Sequence, residues 1–476
     1  MGANEAQRII EDLGEYLPQM TEWRRHIHAH PETAFEEVDT ARYVADRLRS
    51  FGVDEVHEGI ATTGVVGVIR GRKGGEAIGL RADMDALDMQ EVTGVPWQST
   101  RTGKHHACGH DGHTAMLLGA ARHLARTRQF DGTVYVIFQP AEENEGGARV
   151  MVEEGLFERF PMKAVFGMHN IPGIEAGKIA VKSGPMMASY DMFEITITGC
   201  GAHGAMPHKG IDPIVIGAEL TQKLQTIVSR NVDPLDPAVL SVTKFHSGSA
   251  WNIIPNEAVL GGTVRAFDTR VQELIEKRIR ELCEGTAASH NASISVRYER
   301  RYPPTVNHAE QAALCERVAR ALVGADNLIL DPKPAMGSED FAWMLLARPG
   351  CYVWIGNGTG SSGGCMVHNP GYDFNDSILP TGAAYWVKLA ETALGEMAEG
   401  RDVVLHNAEA LLALSSATAR RQWFAETLAR SWPRRLILPV VLYAADLPDS
   451  AHDQTFNLEA GQLPPESLLD LLPNLQ

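Results

Sequence analysis

The stretch TVYVIFQPAEE, residues 133–143, decides the fold class of this chain. Its first six residues form a continuous run of β-branched and aromatic side chains and Gln139 ends it, which is typical of a strand buried on both faces. A proline, an alanine and two glutamates follow at once. Similar strands are predicted at 63–69, 77–81 and 164–168, and they alternate with amphipathic helices. This alternation indicates an α/β fold with helices on both faces of a sheet.

The pattern changes near Ser189 and then returns to the earlier one. Strands are predicted at 191–198, 238–246, 258–267 and 292–300, and helices at 211–230 and 270–287. The resulting order, β-α-β-β-α-β, is the split βαβ arrangement of a small ferredoxin-like α+β domain. The α/β pattern resumes after Tyr302. We therefore predict that a domain spanning 188–302 is inserted into a first domain formed by 1–187 and 303–400.

The remaining residues, 401–476, contain helical stretches at 408–414 and 417–428 and then apolar and proline-rich pieces without clear periodicity. No motif in this C-terminal extension carries recognisable chemistry. Its role is not defined by the sequence.

Acidic residues outnumber basic ones, with 60 Asp and Glu against 43 Lys and Arg, so the formal net charge is −17. Proteins that bind nucleic acids or use a polybasic membrane anchor present clustered cations, and this balance argues against both classes. The most apolar stretch, 436–445, is half as long as a membrane span requires. Residues 1–20 lack the basic start and apolar stretch of a secretory signal. We therefore expect a cytoplasmic protein with no nucleic-acid or membrane partner.

The six cysteines stand at positions 108, 200, 283, 315, 351 and 365, and no two of them form a CxxC pair. Isolated cysteines favour a reducing compartment and buried thiols. We expect five of them to pack in the interior and Cys108 to be the exception.

Cys108 lies in the sequence HHACGHDGH, residues 105–113, which holds four of the 18 histidines of the chain. Imidazole and thiolate are preferred ligands of zinc and similar metals, and the glycines allow tight turns that aim several side chains at one point. Cys108 and His110 are the best candidate ligands, whereas His113 is expected to start a helix and pack. The alternative is a loop of hydrogen-bonded polar residues that caps this helix, with Asp111 as the N-cap.

Two further candidate sites follow predicted strands. Glu142 and Glu143 come after the strand at 133–139, and His169 comes after the strand at 164–168. Ligands of open α/β sheets bind outside the carboxyl ends of the strands. Neighbouring carboxylates point in different directions, so one can bind a metal while the other moves a proton. A solvated glutamate pair is the alternative, but the Cys/His sequence in the same chain favours a metal site.

Three other patterns favour structural roles. GCGAHG, residues 199–204, fits the dinucleotide-binding pattern GxGxxG, but Pro207, Gly210 and Pro213 delay the helix that this motif requires. The alternating histidines at 26, 28 and 30 are expected at the solvent-exposed end of a helix. Trp251 is expected to pack. A hydride-transfer enzyme is therefore disfavoured.

Six motifs of the chain resemble those of the M20 metallopeptidase family in order and spacing, from about residue 22 to residue 394. They are LRADMDAL (80–87), HACGHDGH (106–113), QPAEE (139–143), GMHN (167–170), GAHGAMPH (201–208) and VHNP (367–370). Within the family they are similar to the amidohydrolase branch, which comprises hippurate hydrolases, N-acyl-L-amino-acid amidohydrolases and auxin-conjugate hydrolases.

The resemblance implies a two-metal catalytic domain with a central mixed sheet, and an inserted lid or dimerisation domain. The residues that match the family's metal ligands are Cys108, His110, Glu143, His169 and His368. Glu142 matches the general base. His203 matches a histidine that stabilises the oxyanion, often in the active site of the partner subunit, and Asn252 resembles a contact to the substrate carboxylate.

Asp83 and Asp85 are expected either to contact the metal-binding side chains and hold them in place, or to cap the ends of strands. One position departs from the family's pattern, because Asp88 stands where the family usually has proline. The substitution alters a loop near the site but removes no matched ligand.

The resemblance implies a metal-dependent amidohydrolase that cleaves linear amides of N-acyl or N-aroyl amino acids. It implies two divalent ions per subunit (Mn²⁺, Zn²⁺, Ni²⁺ or Co²⁺), a small-molecule substrate, and a homodimer or higher homo-oligomer formed through the inserted domain. A metal-dependent dipeptidase or aminopeptidase-like enzyme is one alternative. A non-catalytic metal-binding relative is another, although a general base at Glu142 counts against it.

Overall fold

The computed structural model describes residues 3–143, 145–361, 363–399, 403–404, 416–429 and 436–437. The chain divides into two compact units, Met1–Gly395 and Glu396–Gln476. The helices in chain order are α1 (Ala3–Gly14), α2 (Leu17–Ala29), α3 (Val38–Ser50), α4 (His110–Thr127), α5 (Gly147–Glu153), α6 (Leu156–Arg159), α7 (Pro213–Arg230), α8 (Thr269–His290), α9 (Ala309–Val323), α10 (Ala342–Ala347), α11 (Leu379–Glu399) and α12 (Ala417–Ala429).

The strands are numbered in chain order in the same way. They are β1 (Glu55–Ile60), β2 (Gly64–Arg70), β3 (Ala77–Asp83), β4 (Thr133–Gln139), β5 (Ala164–Pro172), β6 (Ile179–Val181), β7 (Gly184–Met187), β8 (Tyr190–Thr198), β9 (Ala202–His203), β10 (Ala238–Ser247), β11 (Ile253–Ile254), β12 (Glu257–Ala266), β13 (Ser293–Tyr302), β14 (Thr305–Asn307), β15 (Leu328–Leu330), β16 (Gly350–Gly358), β17 (Val403–Val404) and β18 (Leu436–Ile437).

An eight-stranded mixed sheet with the order β1-β2-β4-β3-β5-β16-β6-β15 forms the centre of the first unit. The four strands β4, β3, β5 and β16 are mutually parallel, and β2 and β6 run antiparallel to their neighbours in that group. Every residue of β3 and β16 is buried, as expected for parallel strands that are covered on both faces. The predicted α/β fold with a mixed central sheet is confirmed.

The register of the parallel strands brings several predicted site residues to one edge of this sheet. Asp83 pairs with Gln139, the last residue of β4, so Glu142 and Glu143 follow close to the end of β3. The strand β5 runs on to Pro172, and His169 therefore lies within it, opposite Trp354 of β16, rather than after its end.

A second, four-stranded antiparallel sheet with the order β10-β12-β8-β13 carries the helices α7 and α8. These elements follow the predicted β-α-β-β-α-β order, and they enclose a hydrophobic core of their own that includes Leu220, Leu260 and Ile275. The separate core supports an inserted domain at 188–302, whose boundaries stay a prediction.

In the second unit, the described residues form α12 and a parallel pair, β17 and β18. The helix predicted at 417–428 is confirmed, whereas the stretch 408–414 lies outside the described residues. Within the part of the chain that the structure describes, no helix has both the length and the apolar character needed to cross a membrane.

The environments of the cysteines differ in part from the expectation. Cys283, Cys315 and Cys351 are buried, as predicted, but Cys200 is exposed and Cys365 is half-buried. Cys200 lies at the surface, two residues after the end of β8, where the chain has left the sheet.

Candidate metal centre

The first candidate ligands are held by the start of α4. Gly109, with φ 94°, is the N-cap, and the helix begins at His110. A Cβ at Gly109 would lie 2.3 Å from Oδ1 of Asn170, so only glycine fits this turn. The N-cap prediction for Asp111 is wrong, because Asp111 lies inside the first turn and its carboxylate is engaged elsewhere. The turn leaves both Cys108 and His110 buried at the edge of the sheet.

The five predicted metal ligands converge at this edge. Sγ of Cys108 lies 3.3 Å from Nε2 of His169, and Nε2 of His368 lies 3.0 Å from Oε1 of Glu143. Three overlapping groups have all their ligand atoms within 4.8 Å of one another: Cys108, His110 and His169; Cys108, Glu143 and His368; His110, Glu142 and Glu143. We call the residues of these three groups the ligand cluster. Because the groups share members, the cluster can surround two adjacent ions.

The imidazoles of the ligand cluster have the orientation that a metal requires. Nδ1 of His110 lies 3.0 Å from the carbonyl oxygen of Asp85, and Nε2 of His110 is buried without a hydrogen-bond partner in the described structure. Nδ1 of His169 lies 2.6 Å from the carbonyl oxygen of Asn170, which leaves its Nε2 facing Cys108. Metal-binding histidines characteristically donate their second ring N–H in this way. The residues therefore fit divalent metal ions.

The charges of the ligand cluster also suit a cation. Burial, followed by the carboxylates of Glu143 and Glu142, raises the pKa of the Cys108 thiol well above its usual value. Burial lowers the pKa of His169 and so favours its neutral form, which is the form that binds metals. A divalent cation among these groups would favour the thiolate of Cys108 and offset the repulsion between the carboxylates.

Glu142 and Glu143 leave the same turn in different directions. The side chain of Glu142 is buried, and its Oε1 accepts a hydrogen bond from the backbone N of Asp340 at 3.3 Å. Glu143 points toward His368, whose side chain is 51% exposed, so this side of the cluster is open to solvent. Burial, followed by Glu339 and then Glu143, raises the pKa of Glu142 well above its usual value.

Asp83 and Asp85 lie directly behind the ligand cluster. Asp85 accepts a hydrogen bond from the backbone N of Glu143 at 2.9 Å, and its Oδ1 lies 3.2 Å from Nδ1 of His110. Oδ1 of Asp83 lies 2.6 Å from Nδ1 of His113. Both aspartates therefore contact residues of the first turn of α4, and their supporting role stays a prediction. Asp88, in contrast, is at the surface with its side chain 80% exposed.

Arg81, Glu339 and Asp340 form a buried ionic network that the sequence analysis missed. Arg81 is fully buried and donates to Asp83 at 2.7 Å, to Glu339 at 2.9 Å and to Asp340 at 3.1 Å. Since Asp340 also donates its backbone N–H to Glu142, this network sets the position of the predicted base. The available signal was Arg81 itself, a charged residue at the end of an apolar strand.

His113 was expected only to start a helix and pack, but both of its ring nitrogens form hydrogen bonds. It lies in the first turn of α4, which begins three residues earlier than expected. Nδ1 of His113 faces Asp83, and its Nε2 accepts the backbone N–H of Asn170 at 3.0 Å. Asn170 in turn donates to the hydroxyl of Tyr372 at 2.6 Å. His113 therefore links Asp83, the last residue of β3, to Asn170 of β5, the neighbour of His169.

The prediction of a solvent-exposed position is wrong for His28, although His26 and His30 are exposed. His28 is fully buried, with Nδ1 2.8 Å from Asp111 and Nε2 3.1 Å from Glu91. Burial alone would lower the pKa of His28, but the hydrogen bonds to Asp111 and Glu91 outweigh it and raise this pKa to about 9. A buried imidazolium between two carboxylates therefore anchors the start of α4.

The stability of the protein is expected to fall as the pH rises because of His28. The raised pKa contributes about 3 kcal/mol to the free energy of unfolding below pH 6.5, the ordinary value, and this contribution is lost as the pH rises through about 9. Urea unfolding of the metal-free protein from pH 6 to 9.5 measures the effect. His28→Gln should remove this component of the pH dependence, and His30→Gln, at the exposed end of the same helix, should retain it. If the free energy of unfolding fell with pH equally steeply in wild type and in His28→Gln, the expectation would be contradicted.

His203 and Asn252 lie apart from the ligand cluster, on a ribbon formed by β9 and β11 in which His203 pairs with Ile253. Both side chains are exposed. Nδ1 of His203 accepts a hydrogen bond from the backbone N–H of Ala205 at 3.1 Å. The carbonyl oxygen of Asn252 accepts a hydrogen bond from the backbone N–H of Gly204 at 2.8 Å. Among the described contacts, none joins either residue to the ligand cluster of the same chain.

Comparison with known proteins agrees with this geometry. Residues 79–392 match Peptidase family M20/M25/M40. The chain is 42% identical over 382 residues to the hippurate hydrolase of Campylobacter jejuni, covering 80% of this chain and 98% of that protein. It is 43% identical over 312 residues to the N-acyl-L-amino acid amidohydrolase of Geobacillus stearothermophilus, covering 65% of this chain and 83% of that protein.

The similarity extends to a solved structure from Bacillus subtilis, described as a dinuclear metal-binding peptidase from the M20 family. The TM-score is 0.70 at 34% sequence identity, covering 80% of this chain and 99% of that chain. A mixed α/β sheet whose edge gathers thiol, imidazole and carboxylate ligands is the architecture of a metal-dependent hydrolase. The chain belongs to peptidase family M20, and the resemblance inferred from the motifs is confirmed.

Proposed function

We propose that this protein is a metal-dependent amidohydrolase that cleaves N-acyl or N-aroyl amino acids to a carboxylic acid and a free amino acid. The observation that carries the proposal is the convergence of Cys108, His110, Glu143, His169 and His368 beside the buried carboxylate of Glu142. The names of the relatives support it, since they include a hippurate hydrolase and an N-acyl-L-amino acid amidohydrolase.

Each residue of the site has a defined part in the proposed reaction. Two divalent ions held by the five ligands would supply Lewis-acid polarisation of the amide carbonyl and an acidified water. Glu142 accepts the proton of the attacking water and delivers it to the leaving nitrogen. His203 donates a hydrogen bond to the oxyanion, and Asn252 binds the substrate carboxylate. Asp83 and Asp85 hold the ligands in place from behind.

The buried position of Glu142 favours an enzyme over a metal-binding protein without activity. A protein that only stores or senses metal gains nothing from an additional buried carboxylate beside the ligands, because its burial is costly. A role in proton transfer explains why a carboxylate is buried at this position although its burial costs free energy.

The test is a hydrolysis screen of the full chain after chelation, with Mn²⁺, Zn²⁺, Co²⁺ or Ni²⁺ added back singly. N-acetyl, N-benzoyl and N-indoleacetyl amino acids should be hydrolysed, and the chelated protein should be inactive. Dipeptides in the same screen test the alternative of a dipeptidase or aminopeptidase-like enzyme. Hydrolysis of dipeptides alone would replace the proposal by that alternative, and no hydrolysis with any of the four metals would refute it.

The proposed quaternary structure is a homodimer formed through the inserted domain. The strand β10 lies at the edge of its sheet, and an unpaired edge strand is a site at which a second chain can add. Apolar side chains are exposed on this domain: Leu235 (88%), Val239 (37%), Phe245 (40%), Trp251 (107%) and Ile253 (59%). Trp251 thus does not pack within its own chain, contrary to expectation, and contact with a second copy accounts for its exposure.

We place the protein in the cytoplasm. All six cysteines are unpaired, which fits a reducing compartment.

A further inference from the structure

The turn that carries Glu142 and Glu143 contains a backbone conformation that its sequence does not favour. Ala141 is fully buried and has φ 53°, in the left-handed region. A residue with a Cβ adopts this region only when its surroundings impose it, and such strained residues concentrate at functional sites. Ala141 therefore requires contacts that hold it.

Glu37 supplies one of these contacts from a distant part of the chain. It directly precedes α3 and is completely buried, and its Oε1 accepts the backbone N–H of Ala141 at 2.9 Å. Its Oε2 accepts the hydroxyl of Thr63 at 2.6 Å. Both oxygens of Glu37 are therefore engaged, and the carboxylate is fixed against the turn.

Two further hydrogen bonds restrain the same backbone. The carbonyl oxygen of Ala141 accepts the N–H of Gly147 at 2.9 Å. The hydroxyl of Tyr302, at the end of β13, donates to the carbonyl oxygen of Glu142. Three successive peptide groups are thus held: the one before Ala141 by Glu37, the one between Ala141 and Glu142 by Gly147, and the one after Glu142 by Tyr302.

This restraint has a direct consequence for the two glutamates. With Ala141 in the left-handed region, the chain turns sharply after β4, so that Glu142 reaches the backbone N of Asp340 while Glu143 reaches His368. If Ala141 relaxed to a right-handed or extended conformation, the directions of both carboxylates would change together. The base and a metal ligand would be misplaced at the same time.

We propose, on the basis of the function proposed above, that Glu37 and Tyr302 are positioning residues that hold Ala141 in its left-handed conformation and thereby aim Glu142 and Glu143. Neither residue belongs to the ligand cluster. Their effect on the reaction passes through the backbone of the turn.

The test combines substitutions of Glu37 and Ala141. Glu37→Ala should lower kcat by about 10- to 100-fold, the effect of a misplacement of about 1 Å, with KM changed by less than about threefold. Glu37→Gln should remain close to wild type, because its amide oxygen can still accept the N–H of Ala141 and its NH₂ can donate to Thr63. Ala141→Gly should be close to wild type alone and should restore most of the kcat of Glu37→Ala in the double variant, because glycine adopts positive φ without strain.

The rescue by glycine separates positioning from a general structural role, since a backbone change at residue 141 cannot replace a lost structural contact of Glu37 elsewhere. Glu36→Ala, at an exposed neighbouring position, is the matched control and should behave as wild type. A Glu37→Ala variant within twofold of wild type in kcat would overturn the inference. So would a double variant no better than Glu37→Ala while Ala141→Gly alone is active.

Two further measurements keep the inference testable if Glu37→Ala does not fold or if the proposed function fails. Tyr302→Phe removes a single hydroxyl and should lower kcat, with a melting temperature lowered only by the loss of one buried hydrogen bond, and an unchanged kcat would count against the inference. Titration calorimetry of the metal-free wild type, Glu37→Ala and the double variant with Mn²⁺ alone needs no substrate. Mn²⁺ affinity should fall about tenfold in Glu37→Ala and recover in the double variant, and unchanged Mn²⁺ affinity would overturn the inference whatever the substrate is.

Discussion

Replacing Glu142 with glutamine is expected to lower kcat by about 10²- to 10⁴-fold, the usual contribution of a general acid–base group. The substitution should leave the fold intact. The amide oxygen of glutamine can still accept the hydrogen bond from the backbone N of Asp340, so no buried donor loses its partner. Because burial and then the neighbouring carboxylates raise the pKa of Glu142, removing its charge should leave the melting temperature equal to or above that of wild type.

The measurement is kcat and KM for an N-acyl amino acid, together with metal content by elemental analysis. Glu142→Gln should retain both ions, since the five other side chains of the ligand cluster are unchanged. Glu145→Gln, an exposed glutamate three residues further along the chain, is the matched control and should keep full activity. An active Glu142→Gln enzyme would exclude Glu142 as the base, and loss of metal in that variant would make it a ligand instead.

The fold class could be predicted because its central strands are continuous apolar runs, of which β4 and β5 are examples. Such runs signal burial on both faces whatever they pair with. The strand directions could not be predicted in the same way. The antiparallel strands β2 and β6 are as apolar as their parallel neighbours, since β6 is wholly buried. The direction of a strand depends on the connection by which the chain returns to the sheet, and the hydrophobic periodicity of the strand does not determine that connection.

The ligand cluster could be predicted because its side chains are chemically distinctive, and because Glu142, Glu143 and His169 lie near the carboxyl ends of parallel strands at one edge of the sheet. The supporting residues could not be identified because their partners lie far away in the sequence. Arg81 reads as the polar end of a strand, and beside its local partner Asp83 its burial depends on Glu339 and Asp340, 258 and 259 residues further on. His28 likewise becomes a buried cation only through Asp111 and Glu91, 83 and 63 residues further on. No local pattern indicates either pairing.

His203→Ala is expected to lower kcat by about 10²- to 10³-fold, the usual effect of removing an oxyanion donor. In the described contacts of one chain, His203 remains on its exposed ribbon and does not reach the ligand cluster. It can therefore act only if the inserted domain moves or if His203 serves the active site of a second copy. The exposed apolar side chains of the inserted domain, among them Trp251, favour the second copy.

Mixed dimers of His203→Ala and Glu142→Gln subunits distinguish these two possibilities. If His203 serves the partner's site, a mixed dimer contains one site with both Glu142 and His203 intact, and a statistical mixture of subunits should recover about a quarter of the wild-type activity. If His203 serves its own chain, each site of the mixed dimer lacks one of the two groups, and the mixture should remain as inactive as its components. Light scattering provides the control, because complementation requires a dimer or higher oligomer in solution. Recovery at equal subunit ratio would therefore establish both the shared active site and the oligomer, whereas a monomeric active enzyme would refute both.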